Sequence, residues 1–175
     1  MPPLSNVAFA ALASGLLVAT VVDIRWRRIP NALTATMAGV GVGLAAAGVS
    51  GISLGASMAG LALGLALMLP RCAFGPTGAG DVKLMAAVGA IVGPALVVSA
   101  FLFTAIAGGV LAVAVAIRRR RLGATFVRTG RLIAARPDAS EDIRGAGSSN
   151  RFAYGPAIAI GSMFAATVGS RVLGF

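Results

Sequence analysis

Two carboxylates in this chain differ from the rest in their position. The sequence of 175 residues contains only five acidic residues, and three of them, Asp138, Glu141 and Asp142, share one hydrophilic stretch. The other two, Asp23 and Asp81, lie at the edges of long apolar runs. A carboxylate near hydrocarbon is costly in free energy and is usually retained for function. Asp23 and Asp81 are therefore the candidate reactive groups, and we expect them to act as a pair.

The available residue types restrict the reactions that such a pair could catalyse. The chain has no histidine and one cysteine, Cys72. This excludes an internal disulfide, histidine-dependent triads and most zinc sites, and we expect neither a metal nor a cofactor. Two neighbouring carboxylates cannot both ionise easily, so they share a proton. The ionised one can draw a proton from water while the protonated one polarises a peptide carbonyl, as in an aspartic protease.

Three other interpretations of these acids stay open. Asp23 and Asp81 could be simple boundary residues or partners of Arg25 and Lys83. They could form the proton relay of a small proton-coupled transporter, although such relays lie near the bilayer midplane and both acids lie at the ends of predicted spans. The chain could also be a non-catalytic membrane scaffold of a secretion or pilus machine, in which case neither acid would be needed for assembly.

Apolar segments dominate the elements that must position the two acids. Hydrophobic residues make up 58% of the chain, the mean hydropathy is +0.92, and there are 24 glycines. Small residues at this density suit helices that pack closely in lipid. We predict one all-α domain over residues 1–175, a polytopic membrane bundle of six transmembrane helices. The predicted spans cover residues 4–22, 32–49, 54–69, 81–92, 95–117 and 153–168.

Prolines and glycines mark the predicted ends of these helices. Pro30 suits the first turn of the second helix, and Pro70 is expected to end the third. Gly93-Pro94 divides an apolar stretch into a short fourth helix and a fifth helix. Residues 118–150 form a hydrophilic loop, in which residues 125–135 are predicted to form an amphipathic helix on the membrane surface. Three patterns are expected to be helix-packing faces and leave a homo-oligomer open: Gly39-x-x-x-Gly43, Gly51-x-x-x-Gly55 and Gly60-x-x-x-Gly64.

Basic residues give the predicted orientation in the membrane. The net charge is +10, but the arginines flank apolar runs with almost no aromatic residues between them, which argues against nucleic acid as a partner. If the loop at residues 25–28 is cytoplasmic, six alternating spans put all but Arg171 of the 15 Lys and Arg residues on that side. Asp23 and Asp81 then both lie at the cytoplasmic boundary of the membrane, where water is available.

Three short motifs surround the candidate acids. Gly78-Ala79-Gly80-Asp81-Val82-Lys83 is a G-x-G-D-x-K element, in which two glycines allow a sharp turn and leave room for a substrate chain. Asp23 leads into Arg27-Arg28-Ile29-Pro30-Asn31, and Arg151-Phe152-Ala153-Tyr154-Gly155-Pro156-Ala157 opens the last span. With these motifs in this order, the sequence resembles the prepilin peptidases, a family of GxGD-type membrane aspartic proteases, over essentially its whole length.

The resemblance implies a specific activity. It implies that Asp23 and Asp81 are the catalytic pair of a hydrolase that cleaves the basic leader from a type IV prepilin at the cytoplasmic face of a bacterial inner membrane. The implied partners are the prepilin, with its leader and hydrophobic segment, and membrane lipid. Larger members that also methylate the new terminus have an extra cytoplasmic region, often with paired cysteines. Without that region, this chain is similar to the short, peptidase-only enzymes of tight-adherence (Flp-type) pilus systems, and S-adenosylmethionine is not expected.

Other residues of the motifs are candidates for supporting or substrate-binding roles. Lys83 could bias the charge of the acid pair, hold the surroundings of Asp81, or extend to the membrane surface. Asn31 and Tyr154 could bind active-site backbone or substrate. Gly155-Pro156 is expected to shape the start of the last helix. The full set is Gly78, Gly80, Lys83, Asn31, Tyr154, Gly155 and Pro156.

Overall fold

Helices make up nearly all of the protein that the structure describes. The computed structural model describes residues 4–74, 78–118 and 154–172. Within these ranges there is no strand, which confirms the all-α prediction. The helices are α1 (Asn6–Trp26), α2 (Asn31–Ala46), α3 (Leu54–Phe74), α4 (Ala79–Arg118) and α5 (Gly155–Val172). The amphipathic helix predicted at residues 125–135 lies outside the described residues.

Defined caps close both ends of α1. The Ser5 hydroxyl oxygen accepts a hydrogen bond from the Ala8 amide at 3.2 Å. At the other end Arg27 adopts a left-handed φ of 50°, and its amide donates to the Asp23 carbonyl. The 21 residues of α1 rise about 31 Å, which matches a hydrocarbon layer of about 30 Å. The helix continues beyond its predicted end at residue 22, so Asp23 lies in its last turn.

The ends of α2 and α3 differ from the predicted ones. Pro30 has an extended conformation and caps α2, which begins at Asn31. Pro70 lies inside α3, which continues to Phe74, so the prediction that Pro70 ends this helix was wrong. A proline removes one main-chain hydrogen bond, to the carbonyl four residues earlier. In α3 that loss comes after several turns have already formed, and the helix tolerates it.

A break at Gly93 divides α4 into two arms. Gly93 has φ 82° and ψ 177°, well outside the helical region, and Pro94 follows it. This confirms the predicted break at Gly93-Pro94. We refer to residues 79–92 as the first arm and to residues 94–118 as the second arm. Every residue of the first arm from Leu84 to Val92 is buried, because the neighbouring helices surround it. The first arm is therefore a core helix, and Asp81 lies in its first turn.

Glycines allow α3 to cross the first arm at backbone contact. A Cβ atom on Gly60 would overlap the Gly89 carbonyl, and a Cβ atom on Gly64 would lie 2.5 Å from the Met85 carbonyl oxygen. No other residue could occupy these two positions without separating the helices. The packing role predicted for Gly60-x-x-x-Gly64 is thus confirmed.

The other two glycine patterns do not pack in this way. A Cβ atom on Gly39 or Gly43 would have no neighbour within 4 Å. Gly51 lies in the connection between α2 and α3 with a φ of 84°, and so does not belong to a helix face. The prediction was wrong for Gly51-x-x-x-Gly55. Gly39-x-x-x-Gly43 meets no neighbour among the described residues of the chain, and its packing against a second copy stays a prediction.

Apolar surface covers the outside of the bundle. Leu17 of α1 is 68% exposed and Val110 of the second arm 67% exposed. Helical surface of this kind suits lipid rather than water. Two stretches are long and apolar enough to cross a membrane by length and composition, namely Asn6–Trp26 and Ala79–Leu111. Three further apolar helices are shorter, namely Asn31–Ala46, Leu54–Pro70 and Gly155–Val168.

Candidate active site

The start of α5 holds the carboxylate of Asp23. Asp23 is only 5% exposed, and its Oδ2 atom accepts a hydrogen bond from the Gly155 amide at 2.8 Å. The carboxylate lies so close to the main chain that a Cβ atom on Gly155 would be 2.8 Å from Oδ2 and 3.0 Å from the Asp23 Cβ. Any side chain at position 155 would therefore push the carboxylate away. The bond joins α1 to α5 across 132 positions of sequence.

The first turn of α5 has one main-chain donor to offer, and Asp23 accepts from it. Pro156 has no N–H group. The amides of Ala157 and Ile158 both donate to the Tyr154 carbonyl, at 3.0 and 3.1 Å. The Gly155 amide is left, and an anionic acceptor is favoured there because unsatisfied N–H groups give a helix start a partial positive charge.

Tyr154 fixes the start of α5 against the second arm of α4. Its ring is buried, and its hydroxyl donates to the Thr104 carbonyl at 3.4 Å. The ring lies directly on Gly108, where a Cβ atom would be 2.5 Å from the hydroxyl oxygen and 2.6 Å from Cε2. Sequence reasoning did not single out Thr104 or Gly108. The available signal was a polar residue and a glycine four positions apart in an apolar run, which is too common to be specific.

Asp81 lies in the first turn of α4 beside the glycines of its motif. It is 8% exposed, and its amide donates to the Gly78 carbonyl at 3.0 Å. A Cβ atom on Gly78 would be 3.7 Å from the Asp81 Oδ2, an ordinary van der Waals distance, so Gly78 lies directly beside the carboxylate. On Gly80 a Cβ atom would be 3.1 Å from the Ile29 Cβ. The connection between α1 and α2 therefore packs directly onto the G-x-G-D turn.

Lys83 joins the start of α2 to the first arm of α4. Its Nζ atom donates to the Asn31 Oδ1 at 2.9 Å, across 52 positions of sequence. Both side chains are exposed, so the bond adds little stability. It does hold the beginning of α2 beside the helix that contains Asp81.

Residues from all three sequence motifs meet at one end of the bundle. α1 ends there, α2, α4 and α5 begin there, and the Ile29–Gly80 contact links the first two motifs. Contacts along the chain and between helices join the predicted residues in two groups. One group is Asp23, Tyr154, Gly155 and Pro156, and the other is Asp81, Gly78, Gly80, Lys83 and Asn31. Among the described residues there is no cluster of three or more side chains suited to bind a metal.

The described site thus has one buried acid in the last turn of α1 and another in the first turn of α4. The chain belongs to the type IV leader peptidase family, whose model matches residues 10–113. The protein is therefore a peptidase, and its apolar helices together with the family indicate a membrane protein. The match includes both acids and the G-x-G-D turn but ends before α5. Neither a curated protein nor a solved structure gives a match.

Proposed function

We propose that this peptidase is a membrane aspartic endopeptidase that removes the basic leader from type IV, Flp-like prepilins. One observation carries the proposal: Asp23 and Asp81 are both buried at the same end of the bundle, on helix ends that the family match includes. Acids buried in an apolar bundle are costly, and their retention argues for a chemical role. The G-x-G-D turn supports that role because Gly78 lies beside the Asp81 carboxylate and Gly80 packs against the connection between α1 and α2.

In the proposed reaction the two carboxylates share one proton and act on one water molecule. The ionised carboxylate takes a proton from the water molecule, and the water oxygen attacks the scissile carbonyl carbon. The protonated carboxyl group donates a hydrogen bond to the carbonyl oxygen of the substrate. The C–N bond then breaks as the leaving nitrogen receives a proton from a carboxyl group. The products are the free leader and the pilin with a new amino terminus, and the carboxylates again share one proton.

Six crossings of the cytoplasmic membrane fit the helices if each arm of α4 counts separately. The first arm rises about 21 Å and α2 about 24 Å, so both are shorter than the usual hydrocarbon thickness. At α2 local thinning of the bilayer would relieve this mismatch, whereas the neighbouring helices enclose the first arm. The guanidinium of Arg25 lies over the Trp26 ring at 5.6 Å. Tryptophan and arginine are typical of the membrane interface, which supports a boundary position for the neighbouring Asp23.

The proposed substrate matches this boundary position. A prepilin has a basic leader followed by a hydrophobic segment, so the scissile bond lies where cytosol meets lipid when that segment enters the bilayer. The distribution of lysine and arginine predicts that Asp23 and Asp81 face the cytoplasm. A thinned bilayer beside α2 would give the apolar segment access to the site from the lipid.

Acid-to-amide variants test the proposal. We expect Asp23→Asn and Asp81→Asn each to abolish cleavage of a prepilin in membranes, because each removes a member of the proton-sharing pair, while the amount of inserted protein stays normal. Asp138→Asn makes the same chemical change in the hydrophilic loop and should cleave normally. Normal cleavage by either of the first two variants would remove the pair from the mechanism. Pilus assembly that depends on the protein but on neither acid would favour a scaffold.

Cross-linking gives an independent test of whether the two acids approach each other. In a Cys72→Ser background, Asp23→Cys and Asp81→Cys in one chain should be joined by a short bis-maleimide. Asp81→Cys combined with Leu54→Cys at the opposite end of α3 serves as the control pair and should not be joined. Equal labelling of both pairs, or of neither, would contradict a shared site.

A further inference from the structure

The orientation of Asp23 is set by contacts that lie outside the acid pair. We propose that Gly108, Tyr154 and Gly155 are positioning residues that fix the Asp23 carboxylate for the cleavage step. The inference rests on the proposed function, because it assumes that Asp23 takes part in catalysis. It goes further because it makes kcat depend on a series of contacts. These contacts run from the second arm of α4 through the start of α5 to Asp23 in α1.

The first part of the chain is the bond from the Gly155 amide to Asp23. It is 2.8 Å long and buried, so it is short enough to orient one carboxylate oxygen. Because Pro156 has no N–H and the next two amides are bonded to the Tyr154 carbonyl, no neighbouring donor of this turn can replace it. The bond restricts the rotation of the carboxyl group and thereby limits the directions in which the other oxygen can point.

The second part is steric. Position 155 must lack a side chain, because a Cβ atom would approach the Asp23 Oδ2 to 2.8 Å and its Cγ to 3.2 Å. Both distances are shorter than ordinary van der Waals contact, which begins at 3.4 Å. An alanine at position 155 would keep the N–H donor but displace the carboxylate by a few tenths of an ångström or more. Gly155→Ala therefore tests the effect of the carboxylate position while the N–H donor remains present.

The third part fixes α5 itself. Tyr154 precedes the donor, and its ring fills the space above Gly108 while its hydroxyl reaches the Thr104 carbonyl. A Cβ atom on Gly108 would lie within 2.7 Å of three atoms of the tyrosine. The side chain would have to move, and the adjacent Gly155 amide would move with it. A Cβ atom on the next residue, Gly109, would have no neighbour within 4 Å, so this position provides a matched control.

Kinetics of three alanine variants test the proposal. The purified full-length protein in lipid nanodiscs is assayed with a synthetic peptide that has a basic leader and an apolar segment. Gly155→Ala and Gly108→Ala should lower kcat by about 10- to 100-fold, the size expected for misplacing a catalytic group by a fraction of an ångström to an ångström. KM should stay within about twofold, since the substrate contacts are unchanged. Gly109→Ala should match the unaltered protein in both constants.

Amide hydrogen exchange gives a readout that does not depend on turnover. The Gly155 signal is identified in protein labelled with ¹⁵N-glycine, by its loss in Gly155→Ala. We expect this amide to exchange slowly in the unaltered protein and in Gly109→Ala. In Asp23→Ala, which removes the acceptor, and in Gly108→Ala, which displaces the donor, exchange should be faster by about tenfold or more.

The outcomes separate this inference from the proposed function. Normal kcat in Gly155→Ala and Gly108→Ala, together with inactive Asp23→Asn and Asp81→Asn, would overturn the positioning role alone. Equal losses of kcat in Gly108→Ala and Gly109→Ala would also overturn it, since the effect would then be a general one of the helix. Cleavage by both Asp→Asn variants would overturn the proposed function and the positioning role together. If Gly155→Ala does not fold, Gly108→Ala and the exchange measurement decide.

Discussion

The crossing of α3 over the first arm of α4 predicts opposite changes in Tm for two glycine-to-alanine substitutions, Gly64→Ala and Gly39→Ala. Gly64→Ala would put a methyl group 2.5 Å from the Met85 carbonyl oxygen, 3.0 Å from its carbon and 3.1 Å from the Ala86 Cα. All three neighbours are main-chain atoms, which cannot rotate away. Restoring a contact of 3.4 Å therefore requires the two helices to separate by about 0.9 Å.

The magnitude follows from two opposing terms. Overpacking of a tight contact costs about 1–3 kcal/mol, while alanine is a better helix former than glycine by up to about 1 kcal/mol. Together the two terms give a loss of about 0–3 kcal/mol for Gly64→Ala, and we expect about 1–2 kcal/mol, the middle of this range. In a chain of this size each kcal/mol shifts Tm by about 2–4 °C, so Tm should fall by about 2–8 °C. Gly39→Ala has open space, gains only the helix term, and should raise Tm by about 1–4 °C.

Thermal unfolding of both variants in the same detergent or nanodisc, followed by tryptophan fluorescence, measures the two shifts. The sign difference removes errors that would affect both proteins equally, such as the choice of detergent. Cleavage activity should also fall in Gly64→Ala, because the displaced first arm contains Asp81 in its first turn. A Tm for Gly64→Ala equal to or above that of Gly39→Ala would refute the reasoning that α3 and α4 meet backbone to backbone.

Two further substitutions test other features of the bundle. Gly93→Ala should lower Tm by several degrees, because φ 82° with ψ 177° is accessible to essentially no residue but glycine and forcing it costs about 1–3 kcal/mol; an unchanged Tm in thermal unfolding would mean that the break does not need this conformation. Ser162→Ala should raise Tm by about 2–4 °C, because the Ser162 Oγ is buried without a hydrogen-bond partner within the described residues, and removing an unsatisfied hydroxyl recovers about 1 kcal/mol. A lower Tm for Ser162→Ala would instead show that a water or lipid group binds this hydroxyl.

Some helix ends could be predicted from the sequence, and others were predicted at the wrong residue. The break at Gly93-Pro94 could be predicted because both residues disfavour helix by their own covalent structure. The same rule failed for α3, because Pro70 lies inside that helix, and hydropathy placed the end of α1 too early. Hydropathy reports the preference of side chains for lipid, whereas a helix continues until its main-chain hydrogen bonds are interrupted or capped, as at Arg27. Asp23 therefore belongs to α1, although it is the first polar residue after the apolar run.

The candidate acids could be identified from the sequence, but their partners could not. Asp23 and Asp81 are conspicuous because carboxylates are so rare in the chain. The Gly155 amide is a main-chain group without a sequence signature, and its contact with Asp23 depends on how α5 packs against α1. Gly108 is one of 24 glycines, and only the position of Tyr154 distinguishes it. The Lys83–Asn31 bond joined two residues that the motifs had already named, but the pairing required the three-dimensional arrangement.

The bond between Asp23 and Gly155 also has a consequence for biosynthesis. The ribosome makes α1 early and adds Gly155, whose amide binds the Asp23 carboxylate, only 132 positions later. While a nascent chain is still being threaded into the bilayer, the acid has no such partner. We expect chains that terminate before residue 155 to be inactive, so that incompletely synthesised protein does not cleave substrates. Co-expression of the two fragments, divided within the hydrophilic loop, should restore cleavage only when both are present.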